Sequence, residues 1–470
     1  MACSNDSIEQ LNMVQDPPDT ATPDPTNPDP IREVDFIPAF VQRNGDPVAG
    51  KEYLFSGDYM SSGIPYDAFI AGFGENPDNV LGRSGDNAII PPNYTAITAP
   101  NGVRVVAPNC MACHASSITD EYVIGLGRSD SDFTVNRANN ITFLNSAISL
   151  LYGGQDSEEW KAYDQFRKSI LAIGPKTLTE TRGSNPADKI TQVLIAHRDK
   201  NTLEWSDEPL VQIPDEVIPS DVPAWWLLKK KNAMFFTALG RRDFCKSFIG
   251  SSLLTLSNSD KAVEVDERMP DVLAYLYSLE APSYPFDINT ALAEEGKLVF
   301  ETNCTSCHGT YGANETYPNL VVSLNTIGTD PELSKLYSTP SELNTYFFDW
   351  FNNGWFSSGQ NGLELISKGG YIAPPLDGIW ATAPYLHNGS IPNLATLLDS
   401  DTRPKYWSRT FESNDLDQVN IGWNHTVENK KENTSTYDTT IKGYGNEGHT
   451  FGDPLTDAER SAVLEYLKTL

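Results

Sequence analysis

The pentapeptides Cys110-Met111-Ala112-Cys113-His114 and Cys304-Thr305-Ser306-Cys307-His308 are two copies of one pattern, C-x-x-C-H. Two thiols three residues apart on a helical turn reach the two vinyl groups of one haem, and the adjacent histidine then meets the iron from the proximal side. The spacing therefore predicts one covalent haem c at Cys110, Cys113 and His114, and a second at Cys304, Cys307 and His308. A zinc site would need a further Cys/His pair beside each motif, and a redox dithiol gives the following histidine no task.

The rest of the composition fits such a protein. The chain has 470 residues, with 34 Lys and Arg against 63 Asp and Glu, a formal net charge of −29. That balance repels phosphate backbones, so no nucleic-acid partner is expected. No run of eighteen apolar residues occurs, so no membrane-spanning helix is expected. The length suggests two or three domains, and 33 Gly with 32 Pro predict short helices joined by long irregular loops. Cys245 reads as an inert buried thiol. Cys3 opens a stretch, up to residue 30, with six acidic residues, no Lys or Arg, and six prolines between Pro17 and Pro30. Such a stretch cannot bury enough surface to fold and reads as a solvated tether. Ala2-Cys3-Ser4 looks like the remnant of a bacterial lipoprotein cleavage site. Cys3 is therefore expected to carry lipid, on a protein exported to the periplasm or cell surface and anchored to a bacterial membrane.

A second repeat accompanies the motifs. Val272-Leu273-Ala274-Tyr275-Leu276-Tyr277-Ser278-Leu279 matches Val463-Leu464-Glu465-Tyr466-Leu467-Lys468-Thr469-Leu470, each with the apolar spacing of an amphipathic helix. Thr456 and Glu459 predict a capping box at the start of the last helix. Gly296 and Phe300, upstream of Cys304, resemble the N-terminal helix of class I cytochromes c, in which the glycine lets that helix cross closely over the C-terminal one. Here Tyr466, with Val463 and Leu467, holds the matching positions. The expected organisation is a tether at 1–30, an N-terminal cytochrome c-like haem domain at 31–282 and a C-terminal cytochrome c domain at 283–470. The expected fold is mainly α, with two tandem cytochrome c-like haem domains and long irregular loops. Val103–Pro108 reads as extended chain, since Pro108 opposes a helix before Cys110, and predicts a more irregular first haem pocket.

The sixth ligand decides what each haem does. All six methionines lie at or before Met269, which excludes a local His/Met haem after His308. His387, His425, His449 and Tyr371 remain, and the Gly-flanked loop around His449 can approach a planar cofactor closely. His387 has a competing role near a propionate or between cofactors. For the first haem the candidates are His197, Met234, Met269 or no protein ligand. Trp225 and Trp226, followed by Phe235 and Phe236, read either as core or as the walls of a dry site for dioxygen or peroxide. Lys229-Lys230-Lys231, Arg241 and Arg242 read as a solvated face or as a screen for haem propionates.

The two motifs, the segment Pro374-Pro375-Leu376-Asp377-Gly378-Ile379-Trp380-Ala381-Thr382-Ala383-Pro384-Tyr385-Leu386-His387-Asn388-Gly389-Ser390 and the Gly448-His449 loop together resemble the bacterial di-haem cytochrome c peroxidase superfamily. Within it the closest likeness is to the di-haem rubber oxygenases, to which Cys307-His308-Gly309-Thr310-Tyr311-Gly312 and Tyr317-Pro318-Asn319 also contribute. The methionine that ligates the C-terminal haem of the peroxidases has no counterpart at Gly370-Tyr371. The resemblance implies an oxygen-binding N-terminal haem with a phenylalanine over its distal side, and a bis-His C-terminal haem. On this sequence those roles fall to His114 with Phe235 or Phe236, and to His308 with His449. Trp225 and Trp226 complete the candidate catalytic set. The resemblance also implies a Ca2+ between the domains, as in some relatives. A redox partner protein and a small or polymeric apolar substrate are the expected partners. The activity so implied is that of an oxygenase- or peroxidase-type oxidoreductase, whose first haem activates O2 or peroxide while the second relays electrons. The alternative is a pure electron-transfer cytochrome with both haems six-coordinate.

Overall fold

The structure, a computed structural model, describes residues 34–470, and two close helix crossings organise it. A Cβ placed on Gly296, in the helix Thr290–Asn303, would lie 1.9 Å from the Ala462 carbonyl oxygen of the helix Asp457–Leu467. Only glycine allows that approach, and Phe300 fills the space beside it against Tyr466, with ring centroids 5.2 Å apart. The same contact recurs upstream. A Cβ on Gly50, in the helix Pro47–Ser56, would lie 1.8 Å from the Asp271 carbonyl oxygen of the helix Ser259–Tyr277, and Phe55 stands edge-on to Tyr275.

Local chemistry fixes where these helices begin. The Asp46 carboxylate accepts from Val48 N–H at 2.8 Å ahead of Pro47, which has no N–H to leave unpaired. Asn258 and Asn289 cap the next two through Lys261 N–H and Leu292 N–H. In the last helix Glu459 N–H donates to Thr456 Oγ1 at 3.3 Å while Thr456 N–H donates to the Glu459 carboxylate at 2.8 Å, the reciprocal cap read from the sequence.

The expectation of a mainly α fold with tandem cytochrome c-like domains is corrected by the strands. The structure is 39% helical and 13% strand. Six small antiparallel sheets of two or three strands lie among the described residues. One sheet pairs Val34–Phe36 and Gly370–Ile372 with Leu320–Ser323, and another pairs Gly240–Arg242 with Leu363–Leu365. Tyr94–Thr98 and Arg104–Pro108 form the extended run ahead of Cys110. These strands are two to five residues long, too short for an alternation to stand out from loop sequence.

Residues 34–470 close up as one compact unit, and packing crosses residue 282 in both directions. The core around the first motif, with Met60, Met111, Val193 and Leu273, also takes Phe347, Trp350, Phe356 and Leu365 from far downstream. The core around the second, with Phe300, Trp380 and Tyr466, takes Ile118, Leu126 and Trp226 from upstream. Cys245 is fully buried, and burial pushes its thiol up, in keeping with an inert side chain. Cys3 and the tether lie outside the described residues. Among those described, no helix is long and apolar enough to cross a membrane.

Candidate functional site

Each C-x-x-C-H motif sits on a single helical turn, Met111–His114 in the first and Thr305–His308 in the second. The His114 and His308 backbone N–H groups donate to the Cys110 and Cys304 carbonyls at 3.1 and 3.0 Å, so that both thiols and the imidazole leave one turn together. The four thiols are unpaired and only partly buried. In the first motif Asn109 anchors the turn by accepting from Met111 N–H and donating to Thr95 Oγ1. The next residues form the hairpin Ala115–Ile118 with Glu121–Ile124.

The two proximal imidazoles are held differently. His308 Nδ1 lies 2.8 Å from the Pro374 carbonyl oxygen. A carbonyl only accepts, so Nδ1 carries the proton and Nε2 presents its lone pair to a metal. Tyr311 steadies the turn, its hydroxyl donating to the His308 carbonyl at 3.0 Å and accepting from Leu376 N–H at 2.6 Å. His114 stacks on Trp225, with centroids 4.6 Å apart and planes inclined by 16°. Burial pushes His114 down to about 4, opposed by the Pro223 carbonyl, and also lowers His308. Both rings are therefore neutral near pH 7, the form that binds a metal.

His449 faces His308, with ring centroids 6.2 Å apart and planes at 56°. Two imidazoles on opposite sides of one metal, each bonded at about 2.0 Å, have centroids roughly 6 Å apart, so the gap fits a bound iron. Burial and the neighbouring His308 push His449 down to about 4. The loop is built for this placement. A Cβ on Gly448 would lie 2.1 Å from the Gly328 carbonyl carbon, and His449 N–H donates to the Ile327 carbonyl at 2.7 Å. The Arg403 guanidinium donates to the carbonyls of Asn446, Gly448 and His449 at 2.8, 2.6 and 3.1 Å.

The other candidates are placed elsewhere. The Tyr371 hydroxyl donates to the Asp330 carbonyl at 2.7 Å and accepts from Ser334 N–H, so it is occupied by backbone. His387 stacks on Tyr371 at 4.0 Å, its Nε2 without a partner and its pKa pushed down to about 3 by burial. His425 lies edge-on to Trp407, and His197 stacks on Trp205 with Nδ1 2.9 Å from the Ser206 carbonyl oxygen. Met269 is buried in the first core, with Met234 packed against it. Phe235 is 44% exposed, with its ring against Gly240, while Phe236 packs beside Tyr371 and Ile218. Trp226 donates from Nε1 to the Asp377 carbonyl at 2.8 Å. Lys229 pairs with Glu280, and Lys230 with Glu315 and Asp377. Lys231 is buried, and burial pushes it down to about 8. Among the described residues no group of three or more His, Cys, Asp or Glu gathers to hold a metal ion, so no carboxylate cage for Ca2+ is found there.

Two features escaped the sequence reading. One is the Gly50 crossing, whose signal was a glycine followed by Tyr53-Leu54-Phe55, far upstream of the cysteines it supports. The other is Arg403, which no local pattern marks.

Comparison with known proteins matches one segment beside this site. Residues 370–408 match the family described as RoxA-like, cytochrome c-like. An uncharacterized protein of Sinorhizobium fredii, y4iM, is 27% identical over 314 residues, which cover 58% of this chain and 68% of that protein. A second from the same organism, y4iJ, also uncharacterized, is 29% identical over 255 residues, 41% of each chain. The chain therefore contains a cytochrome c-like domain, and its matched segment links it to the rubber oxygenase-type di-haem cytochromes.

Proposed function

We propose that the protein is a di-haem oxidoreductase in which the second haem, held by His308 and His449, relays electrons to a first haem, held by His114, that reacts with dioxygen or peroxide. A haem c at each motif supplies one-electron chemistry and, where one position on the iron is left to a small molecule, activation of that molecule. The observation that carries the reading is the facing pair of imidazoles, His308 and His449, with ring centroids 6.2 Å apart.

The protein's own groups supply tautomer, position and a path. Pro374 fixes the proton on His308 Nδ1, and Arg403 holds the His449 loop against the Gly328 turn. Trp225 lies on His114, Trp226 is bonded to Asp377, and Asp377 follows Pro374 on the segment that holds His308. These contacts would give electrons a chain of bonded and stacked groups between the two histidines. Export, lipid attachment at Cys3, a redox partner protein and an apolar substrate, small or polymeric, belong to the same reading.

The test is the EPR spectrum of the oxidised protein beside that of His449→Ala, in material with two haems by pyridine haemochrome. One low-spin signal should become high-spin in the variant, and an unchanged spectrum removes His449 as a ligand. The reduced protein should bind CO at one haem. A protein low-spin throughout that binds neither CO nor O2 is the pure electron carrier instead.

A further inference from the structure

Among the described residues two arginines, Arg182 and Arg409, share a cleft and have no ion pair. The cleft is small, with about 20 Å³ of free space, and is lined by Ser129, Arg182, Asp221, Asn388 and Arg409 among others. Arg409 donates to the Ser129 carbonyl and, at 3.1 Å, to Ser129 Oγ, and its guanidinium lies 4.4 and 4.3 Å from the ring centroids of Phe411 and Trp423. Arg182 lies 4.3 Å from the Phe411 centroid and donates from Nε to the Asp130 carbonyl. The nearby carboxylates are committed elsewhere. Asp130 pairs with Arg128 at 2.6 Å, and Asp415 accepts from Thr410 and Asn424. Burial pushes the Arg409 guanidinium below its usual range, the sign of a cation lacking an acid partner. Asp221, the one carboxyl lining the cleft, is pushed up by burial to about 8 and is a neutral donor near pH 7.

The cleft walls lead directly to the first motif. Arg128 N–H donates to the Cys113 carbonyl, one residue before Ser129, and Pro223, two residues after Asp221, faces the His114 ring. Ser220, beside Asp221, is bonded to Asn185, whose side chain reaches the Cys113 thiol. We propose that the cleft is a carboxylate seat, with Arg182 and Arg409 as its cations, and that a propionate of the haem at Cys110–His114 occupies it. This rests on the haem reading above. Two planar forks facing one carboxylate are the donor set such a group needs when withdrawn from water. They also place positive charge beside the first iron, which favours its reduced form.

The test uses Arg182→Gln and Arg409→Gln, each prepared as holoprotein with its haem content measured and its redox titration followed by visible absorbance. Arg182→Gln is the milder change, and Arg409→Lys restores charge where Arg409→Gln perturbs packing. The seat predicts that one haem becomes about tenfold more oxidised at a fixed potential, about 59 mV lower in midpoint. That haem is the one whose EPR signal survives His449→Ala, and Arg409→Lys recovers most of the shift. Acetate titrated into the wild-type holoprotein separates the sources. Saturable binding lost in Arg409→Gln, with both midpoints unmoved, makes a free acid the occupant and overturns the propionate. Two haems with unmoved midpoints and no acetate binding overturn the seat and leave the haem reading intact. Fewer than two haems in the wild type overturn that reading and the seat with it.

Discussion

Gly296 meets Ala462 as Gly50 meets Asp271: in both crossings the carbonyl carbon lies 2.3 Å, and the oxygen under 2 Å, from where a Cβ would stand. The obstacle is backbone of a neighbouring helix, which cannot rotate away. Gly296→Val should therefore destabilise by about 3 kcal/mol or more, and Gly50→Val similarly. Gly72, at a helix end with nothing within 4 Å of its notional Cβ, is the control, and Gly72→Ala should change stability by less than about 1 kcal/mol. Urea midpoints of the three variants check this, and a wild-type midpoint for Gly296→Val would sink it.

Arg403 holds the backbone on both sides of His449, where the Ile327 bond and the close Gly328 contact are the other restraints on that residue pair. Arg403→Leu should loosen His449 enough for the reduced protein to take up a second equivalent of CO. A CO titration reads this directly; uptake equal to wild type would mean that the loop holds without the guanidinium.

Trp225 stacks on His114 and begins the proposed route towards His308. Trp225→Leu should keep two haems and slow electron transfer between them by about tenfold or more, a barrier increase of about 1.4 kcal/mol. Stopped-flow reduction followed at both haem bands distinguishes slowed transfer from simple haem loss.

His387 gives the acid limb of stability a definite sign. Its folded pKa, about 3, lies below the unfolded value, so the unfolded chain takes up the proton first. Its contribution is complete above about pH 6.5 and is lost as pH falls from there towards 3, with a slope of up to about 1.4 kcal/mol per pH unit. His387→Phe, which retains a ring against Tyr371, should flatten this limb. Urea midpoints between about pH 6 and 4 measure it, and parallel curves for the two proteins would exclude His387 as the source.

The candidate site was legible where its proposed chemistry is local. Covalent attachment needs cysteines and histidine within one turn, so Cys110–His114 and Cys304–His308 are visible as words in the sequence. The crossing of Gly296 with the last helix was legible for a related reason: Phe300 precedes Cys304 by one turn, and Tyr466 repeats Tyr275. His449 stood out by the absence of a later methionine and by its flanking glycine. What could not be read depends on pairing between distant segments. Leu363–Leu365 is a strand only because Gly240–Arg242 lies beside it, and Val34–Phe36 only because of Leu320–Ser323. The expectation of a mainly α chain failed there, since each such strand draws its hydrogen bonds from residues the local pattern does not contain. Arg182 and Arg409 were hidden likewise, while the Lys229–Lys231 run, conspicuous in the sequence, is mostly spent on Glu280, Glu315 and Asp377.

Phe347, Trp350 and Leu365 belong to the core around the first motif, although they follow the second motif in the chain. During synthesis, Cys110 and Cys113 emerge long before the residues that will wall them in. On the proposed haem reading, the first pair of thiols would be open to attachment before that wall is in place. A cofactor fixed there early would then serve as a template around which the later rings, Phe347 to Phe356, assemble. Chains stopped short of Leu365 should accordingly be poor substrates for folding even when their first motif has matured, and should be cleared by proteases as nascent fragments.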